Sequence, residues 1–208
     1  MAHRIQNDNI VVSYVTLRRV LGVLGVSLPL VLAFWGVAET RTWDVLPSIS
    51  DYSSLRARDA LVGILFAIAC FLFAYRGYDR RDDIAGDLGS VFALGVALFS
   101  NRGGPLEGAI HFASASALFL VLAYFSFFLF TRSNGSVTPM KEVRNPVYRG
   151  CAVTMVACIV LIGIYSVFLR ESWLSFLRPV FWLEALALWA FGASWFVKGE
   201  TILQDRGN

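Results

Sequence analysis

The chain has 208 residues, of which 57% are hydrophobic and 16% charged, and its mean hydropathy is +0.62. An ordinary soluble domain is about 45–50% apolar and about 25% charged, so this composition excludes a soluble globular domain and indicates a membrane protein. The formal charge of +3 comes from 18 basic and 15 acidic residues, with no basic run interleaved with aromatic residues. Nucleic acid is therefore not expected as a partner.

The N-terminus and the cysteines indicate a membrane-embedded chain without a disulfide framework. The segment Met1–Asn9 is polar, and the first apolar run ends at Ala38 without a small-residue cleavage motif, which favours a retained first helix over a removable signal peptide. Cys70, Cys151 and Cys158 all lie in apolar runs and are odd in number. We expect them to be packing residues.

Six apolar runs follow one another along the chain, each close to the ~20 residues that a helix needs to cross the hydrocarbon. They are Val15–Ala38, Asp59–Tyr75, Ile84–Ser100, Ile110–Thr131, Val147–Leu169 and Pro179–Val197. The sequence thus predicts an all-α fold: a polytopic bundle of six transmembrane helices forming a single domain over residues 1–208. It shows no internal repeat, which disfavours an inverted-repeat transporter and, with no polar stripe through the membrane depth, a small channel.

The distribution of Lys and Arg predicts the orientation. With the N-terminus inside, twelve of the 18 basic residues lie on the inner side: Arg4, Arg18, Arg19, Arg76, Arg80, Arg81, Arg132, Lys141, Arg144, Arg149, Lys198 and Arg206. The other six lie on the outer side: Arg41, Arg56, Arg58, Arg102, Arg170 and Arg178. Both termini are therefore predicted to be cytoplasmic, and the minimal loops favour a bacterial inner membrane over a eukaryotic endomembrane.

Two loops and a set of small residues complete the predicted architecture. The first outer loop, Glu39–Arg58, is rich in turn-forming residues, and we expect it to fold back over the bundle. The inner loop Arg132–Pro146 is expected to be a flexible connection. Small residues recur at four-residue spacing in Gly63 and Ala67, in Gly89, Ala93 and Ala97, and in Ala113 and Ala117. Such stripes allow close helix packing and predict a tight core of helices two to four, with a homodimer interface as the alternative.

Polar residues near the outer ends of the helices are the candidate functional groups. Glu184 lies five residues into the last run, which is roughly 8 Å below its outer end. Charges at this depth are costly and tend to face a cavity or a partner. Asp59 opens the second run and His111 lies at the start of the fourth, so we predict that both lie at the level of Glu184.

These residues leave catalysis, binding and simple structural roles open. Asp59, His111 and Glu184 are the catalytic candidates, since an imidazole beside carboxylates can act as a general acid or base. The predicted binding set is Ser50, Asp51, Asp59, His111, Glu184 and Arg178. The structural alternatives are a Glu184 that is protonated or paired with Arg178, Arg58 or a hydroxyl group, a helix-terminal Asp59 and a hydrogen-bonded interfacial His111. No cofactor is predicted, and a single histidine in the helices argues against a metal site.

Two short motifs carry a resemblance to a known family. The segment Leu46-Pro-Ser-Ile-Ser-Asp-Tyr52 and the acidic residue of Phe181-Trp-Leu-Glu184 resemble elements of the six-helix family of damage-regulated autophagy modulators, GPI-remodelling Frag-like proteins and related bacterial membrane proteins. The resemblance implies a polytopic membrane protein with a lipid-related or regulatory role. Ser50, Asp51 and Glu184 are the matching positions.

A second resemblance supplies an enzymatic alternative. Ser50, Asp51 or Asp59, and His111 are similar in type to the zinc site of the alkaline ceramidases and adiponectin-type receptors, which uses a serine, an aspartate and three histidines. This chain has one histidine in its helices and one helix fewer than that fold. The leading expectation is therefore a non-enzymatic or accessory protein that binds membrane lipids in a polar pocket at the outer leaflet, with an intramembrane lipid amidase or esterase as the alternative.

Overall fold

The computed structural model describes residues 2–77, 79–132 and 139–203, and for residues 2–13 the backbone alone. Its long helices are α1 (Ala2–Thr40), α2 (Arg58–Ala74), α3 (Arg80–Leu98), α4 (Pro105–Tyr124), α5 (Pro139–Ile164) and α6 (Pro179–Lys198). Single 3-10 turns lie at Ser50–Ser54 and Trp173–Leu177, and π-helical turns at Phe125–Leu129 and Tyr165–Leu169 extend α4 and α5. No strand occurs in these ranges, so the prediction of an all-α bundle is confirmed.

Four segments within the described ranges are long and apolar enough to cross a membrane. They are Tyr14–Thr40, Pro105–Leu129, Pro139–Leu169 and Pro179–Lys198, with mean hydropathies of 1.6 to 2.5. Helix α2 is strongly apolar but only 17 residues long, and α3 begins with the charged sequence Arg-Arg-Asp-Asp. The chain is therefore an integral membrane protein with at least these apolar helices.

The helices run alternately up and down, which gives the bundle two chemically different ends. At the loop end lie the α1–α2 loop (41–57), the α3–α4 loop (99–104) and the α5–α6 segment (170–178). At the charged end lie the connections from α2 to α3 and from α4 to α5, and the C-terminus of α6. A hydrogen bond from Arg19 Nε to the carbonyl oxygen of Gly199, 2.9 Å long, joins the first helix to the last there.

Close helix contacts set the arrangement of the bundle. A Cβ atom added at Gly25 of α1 would lie 2.5 Å from the Phe191 ring of α6, so the two helices approach closely only because glycine stands there. A Cβ at Gly86 of α3 would lie 2.7 Å from the carbonyl oxygen of Leu72 in α2. On α3 the small-residue stripe is buried against its neighbours, whereas Gly63 of α2 is exposed with no atom near it.

The helix boundaries differ most from the predicted apolar runs at two places. Helix α1 begins at Ala2, well before Val15, because a polar sequence can be helical outside the hydrocarbon. The predicted flexible connection Arg132–Pro146 is helical from Pro139 onwards. Proline is tolerated in the first turn of a helix, and Pro146 costs one backbone hydrogen bond without ending it. Residues 133–138 of that connection lie outside the described ranges.

Candidate functional site

The α1–α2 loop folds back over the end of the bundle, as the sequence predicts. Its residues Ile49, Ser50, Asp51 and Tyr52 are buried. The carbonyl oxygen of Pro47 accepts a hydrogen bond of 3.0 Å from the backbone N–H of Phe181 in the first turn of α6. Because N–H groups in the first turn of a helix have no acceptor within the helix, this bond anchors the loop where α6 needs a partner.

Glu184 extends this anchor one turn further along α6. Its Oε2 accepts a hydrogen bond of 2.6 Å from the backbone N–H of Ile49, and the residue is partly buried. A buried backbone N–H needs a hydrogen-bond acceptor, and for Ile49 the carboxyl group of Glu184 supplies it. Glu184 therefore fixes the position of the residue that precedes Ser50.

Ser50 and His111 form the closest pair of chemically active side chains at this end. Ser50 Oγ lies 2.8 Å from His111 Nε2, and His111 Nδ1 lies 2.8 Å from the carbonyl oxygen of Phe99. Since a carbonyl oxygen can only accept, Nδ1 carries the proton, and in the neutral imidazole Nε2 accepts from the Ser50 hydroxyl. The serine is thus paired with a base whose orientation is set by a third group.

Asp51 connects the buried pair to the surface. Its Oδ1 accepts hydrogen bonds from Asn101 Nδ2 and from Arg102 Nε, both of 3.0 Å. The side chain of Asp51 is 12% exposed, whereas that of Arg102 is 57% exposed. The guanidinium group therefore lies at the surface of the protein and marks the side from which this group of residues is accessible.

Tyr52 wedges the loop between α1 and α6. Its hydroxyl oxygen accepts a hydrogen bond of 3.3 Å from the backbone N–H of Leu46, and burial raises the pKa of this hydroxyl. Its ring packs on Phe181 with the centroids 6.2 Å apart. A Cβ added at Gly36 would lie 2.5 Å from the same ring, so glycine is needed at this contact.

The structure brings four of the predicted residues together: Ser50, Asp51, His111 and Glu184. We call these four, with Arg102, the loop cluster. Asp59 lies in the first turn of α2 and is exposed, and the described contacts do not connect it with the loop cluster. Arg178 precedes α6 in a left-handed conformation with φ of 51°, and within the described ranges it forms no ion pair with Glu184.

Sequence reasoning missed Arg102 and Asn101. Both lie in the polar stretch Ser100-Asn-Arg-Gly-Gly104 between two apolar runs, and that break in hydropathy is the only signal for them. Gly104 has φ of 122°, which glycine adopts readily, and Pro105 starts α4 directly after it. This tight turn places Arg102 next to the α1–α2 loop.

The loop cluster offers acid–base and hydrogen-bonding chemistry. Among the described residues, no group of three His, Cys, Asp or Glu side chains is arranged to hold a metal ion. Comparison with protein-family models, with curated proteins and with solved structures finds no match for this chain. The functional argument therefore rests on the geometry of these side chains.

Proposed function

We propose that the protein binds the headgroup of a membrane lipid at its loop end and acts as an accessory or regulatory protein of the membrane. In this proposal all six helices span the membrane, both termini are cytoplasmic, and the loop end lies at the outer leaflet of a bacterial inner membrane. The role accords with the one implied by the resemblance to the Frag-like family. The Asp51–Arg102 pair carries the proposal.

The arrangement of charge and apolar surface supports lipid binding. Arg102 donates to Asp51 through Nε, and a guanidinium group has five N–H donors, so others remain for a phosphate group at the surface. In α4, which begins three residues after Arg102, Leu106 and Phe112 are 74% and 59% exposed. A lipid with its phosphate at Arg102 would lay its acyl chains along these side chains.

The test is a comparison of lipids retained by purified variants. The protein is reconstituted in nanodiscs of mixed phospholipids and released for native mass spectrometry. We expect the wild type to retain an enriched lipid and Arg102→Gln to lose most of that enrichment. Arg170→Gln, which alters an exposed arginine at the same end, is the matched control. No enrichment in the wild type, or an equal loss in both variants, contradicts the proposal.

Glu184 has a positioning role in this proposal. Glu184→Gln keeps an oxygen that accepts from the Ile49 N–H, so the folded, monodisperse protein and its lipid retention should persist. Glu184→Leu removes the acceptor and should lower retention by displacing Ser50 and Asp51. If Glu184→Gln alone abolishes retention in a folded protein, the carboxyl group contacts the ligand directly.

A second candidate function is hydrolysis of a lipid ester or amide, favoured by the 2.8 Å contact between Ser50 and His111. Ser50 Oγ would attack the carbonyl carbon, its proton would pass to His111 Nε2, and the imidazolium would return it to the leaving group. Water would then release the acyl group from Ser50. Labelling by a fluorophosphonate probe that is lost in Ser50→Ala supports this function, and no labelling of the wild type excludes a reactive serine.

Topology and self-association are tested separately. Thr42 and Glu142 are exposed at opposite ends of the bundle. A cysteine introduced at Thr42 should be labelled from the outside, whereas one introduced at Glu142 should be labelled only after permeabilisation. The reverse pattern inverts the proposed orientation.

The homodimer proposal rests on the outward-facing residues Gly63 and Ala113, because the α3 stripe is buried within the chain. A Gly63→Leu variant should weaken crosslinking between copies.

A further inference from the structure

A groove between α4 and α5 lies on the lipid-facing surface, away from the loop cluster. Its volume is about 630 Å³, within the ~300–1,000 Å³ range of ligand-binding pockets. Its walls include Leu120, Tyr124 and Phe128 from α4 and Ala152, Val156 and Val160 from α5. Apart from the Tyr124 hydroxyl, the side chains of these six residues are hydrocarbon, so the groove suits an alkyl chain.

The depth of the groove corresponds to one leaflet. On α4 the wall runs from Leu120 to Phe128, and on α5 from Val160 back to Ala152. Eight residues at 1.5 Å each give about 12 Å along the helix axis. Half of the ~30 Å hydrocarbon thickness is about 15 Å. The groove therefore accommodates the acyl chain of a lipid from the leaflet at the charged end.

The π-helical turn at the end of α4 shapes the end of the groove that lies nearest the charged end of the bundle. The backbone N–H of Phe130 donates a hydrogen bond of 2.8 Å to the carbonyl oxygen of Phe125, five residues back, so this turn holds more residues than an α-helical turn. Phe127 and Phe128 are 36% and 54% exposed, and both line the groove. Their rings contact each other with centroids 4.9 Å apart, which gives this end an aromatic wall.

A cation stands where the headgroup of such a lipid would lie. Arg149 is exposed on α5, three residues or about 5 Å beyond Ala152. Its Cζ lies 5.8 Å from the centroid of the Phe127 ring, so the guanidinium group is held over the end of the groove. An apolar groove of one-leaflet depth with a positive charge at its membrane surface matches a lipid with an anionic phosphate.

We infer that the α4–α5 groove binds one anionic phospholipid, with an acyl chain along Tyr124 and Val156 and its phosphate group at Arg149. The site is separate from the loop cluster and lies in the opposite leaflet. Only 17% of the most apolar segment of α5 is buried within the chain. The bound lipid would cover part of the exposed face of this helix.

The test measures which phospholipid stays bound when the protein is released from nanodiscs containing equal amounts of dioleoylphosphatidylglycerol and dioleoylphosphatidylcholine. Native mass spectrometry should show one retained phosphatidylglycerol in the wild type. Arg149→Gln should reduce the preference for phosphatidylglycerol about fivefold, the factor expected for one basic residue at an anionic membrane surface. Arg80→Gln, an exposed arginine at the same end, should leave it unchanged.

A second pair of variants tests the groove itself. Ala157→Phe fills the groove and should remove the retained lipid of either kind, whereas Val167→Phe on the exposed part of α5 should not. Circular dichroism and gel filtration establish that the variants fold. Equal effects of Arg149→Gln and Arg80→Gln, or lipid retention unchanged by Ala157→Phe, would overturn the inference. A dimer in the wild type that Ala157→Phe dissociates would also overturn it, by assigning the groove to a second copy.

Discussion

The two ends of the bundle are closed in different ways. At the loop end, polar groups of the α1–α2 loop bond to side chains of α4 and α6, as in the pair Ser50–His111 and the bond from Ile49 to Glu184. At the charged end, the connections are joined by ion pairs between exposed side chains, such as Arg76–Asp87, whose side chains are 41% and 48% exposed. The first arrangement fixes geometry, and the second adapts to its surroundings.

The two ends differ in how readily water can replace a lost hydrogen-bond or ion-pair partner. A buried donor or acceptor that loses its partner costs about 1–3 kcal/mol, because no water replaces the partner. An exposed ion pair contributes only about 0–1 kcal/mol, because water and salt compete for both charges. We therefore expect substitutions at the loop end to destabilise the fold more than comparable substitutions at the charged end.

The largest effect is expected for His111→Leu. The substitution leaves the Ser50 hydroxyl and the Phe99 carbonyl without their shared partner. At about 1–3 kcal/mol for each group, two orphaned groups correspond to a loss of about 2–6 kcal/mol in the free energy of unfolding. Unfolding in mixed micelles with increasing dodecyl sulfate measures it. A double-mutant cycle with Ser50→Ala should show coupling, and additive losses would mean that the two side chains act independently.

Gly36→Ala tests the wedge formed by Tyr52. The added methyl group would meet the Tyr52 ring, and overpacking of this kind costs about 1–3 kcal/mol, of which about 1 kcal/mol is offset by the better helix propensity of alanine. The net loss in the free energy of unfolding should therefore be up to about 2 kcal/mol in the same experiment. Gly63→Ala, where no atom lies within 4 Å, is the control and should be neutral or stabilising. Equal responses would show that Tyr52 relaxes freely.

The sequence predicts the helices well because hydropathy and length are properties of a local segment. It predicts the ends of the helices poorly. The segments Ala2–Asn9 and Pro139–Pro146 are helical although they lie outside the apolar runs, and hydropathy does not distinguish a polar helix from a polar loop. Small-residue spacing likewise predicts close packing without saying which partner is contacted. The α3 stripe is buried inside the chain, whereas Gly63 faces outward.

For the loop cluster, the sequence predicts the level of each residue but not its direction. Asp59 and His111 both lie near the start of a helix, but His111 points inward and Asp59 outward, and helix rotation depends on tertiary packing. Arg102 bonds to a residue 51 positions away, a contact that no local pattern encodes. The backbone N–H of Ile49 as the partner of Glu184 is equally invisible in a sequence.

Asp82 is a buried carboxyl group at the charged end, where the other ion pairs are more exposed. The pH dependence of protein stability measures the effect of this burial. This carboxyl precedes the predicted third span and its side chain is only 1% exposed. Burial, together with a hydrogen bond with Asp79, raises the pKa of Asp82 above its ordinary value of 3.8. The folded state therefore favours the protonated form, and stability is lost as pH rises from about 3.8 through the raised pKa.

Asp82→Asn removes this titration. Relative to the wild type, the variant should gain stability as the pH is raised from acid to neutral, in unfolding experiments repeated across that range. Asp87→Asn, at an exposed position of the same helix, should not reproduce the trend. A difference between the variant and the wild type that stays constant with pH would show that the pKa of Asp82 is the same in the folded and unfolded states, with Arg132 at 3.8 Å offsetting the effect of burial.

The smallest effect is expected for Arg76→Gln, which breaks the ion pair with Asp87 at the charged end. The two side chains approach to 3.1 Å, but both are extensively exposed. Solvent screening limits the loss to less than about 1 kcal/mol, and added salt should reduce it further because the Debye length falls from about 10 Å at 0.1 M to about 3 Å at 1 M. Glutamine keeps part of the aliphatic stem but lacks the guanidinium group, whose Cζ in the wild type lies 5.4 Å from the Phe73 ring centroid. The substitution therefore removes the ion pair together with this exposed cation–π contact. A loss as large as that of His111→Leu, unaffected by salt, would show that the charged end is held as firmly as the loop end.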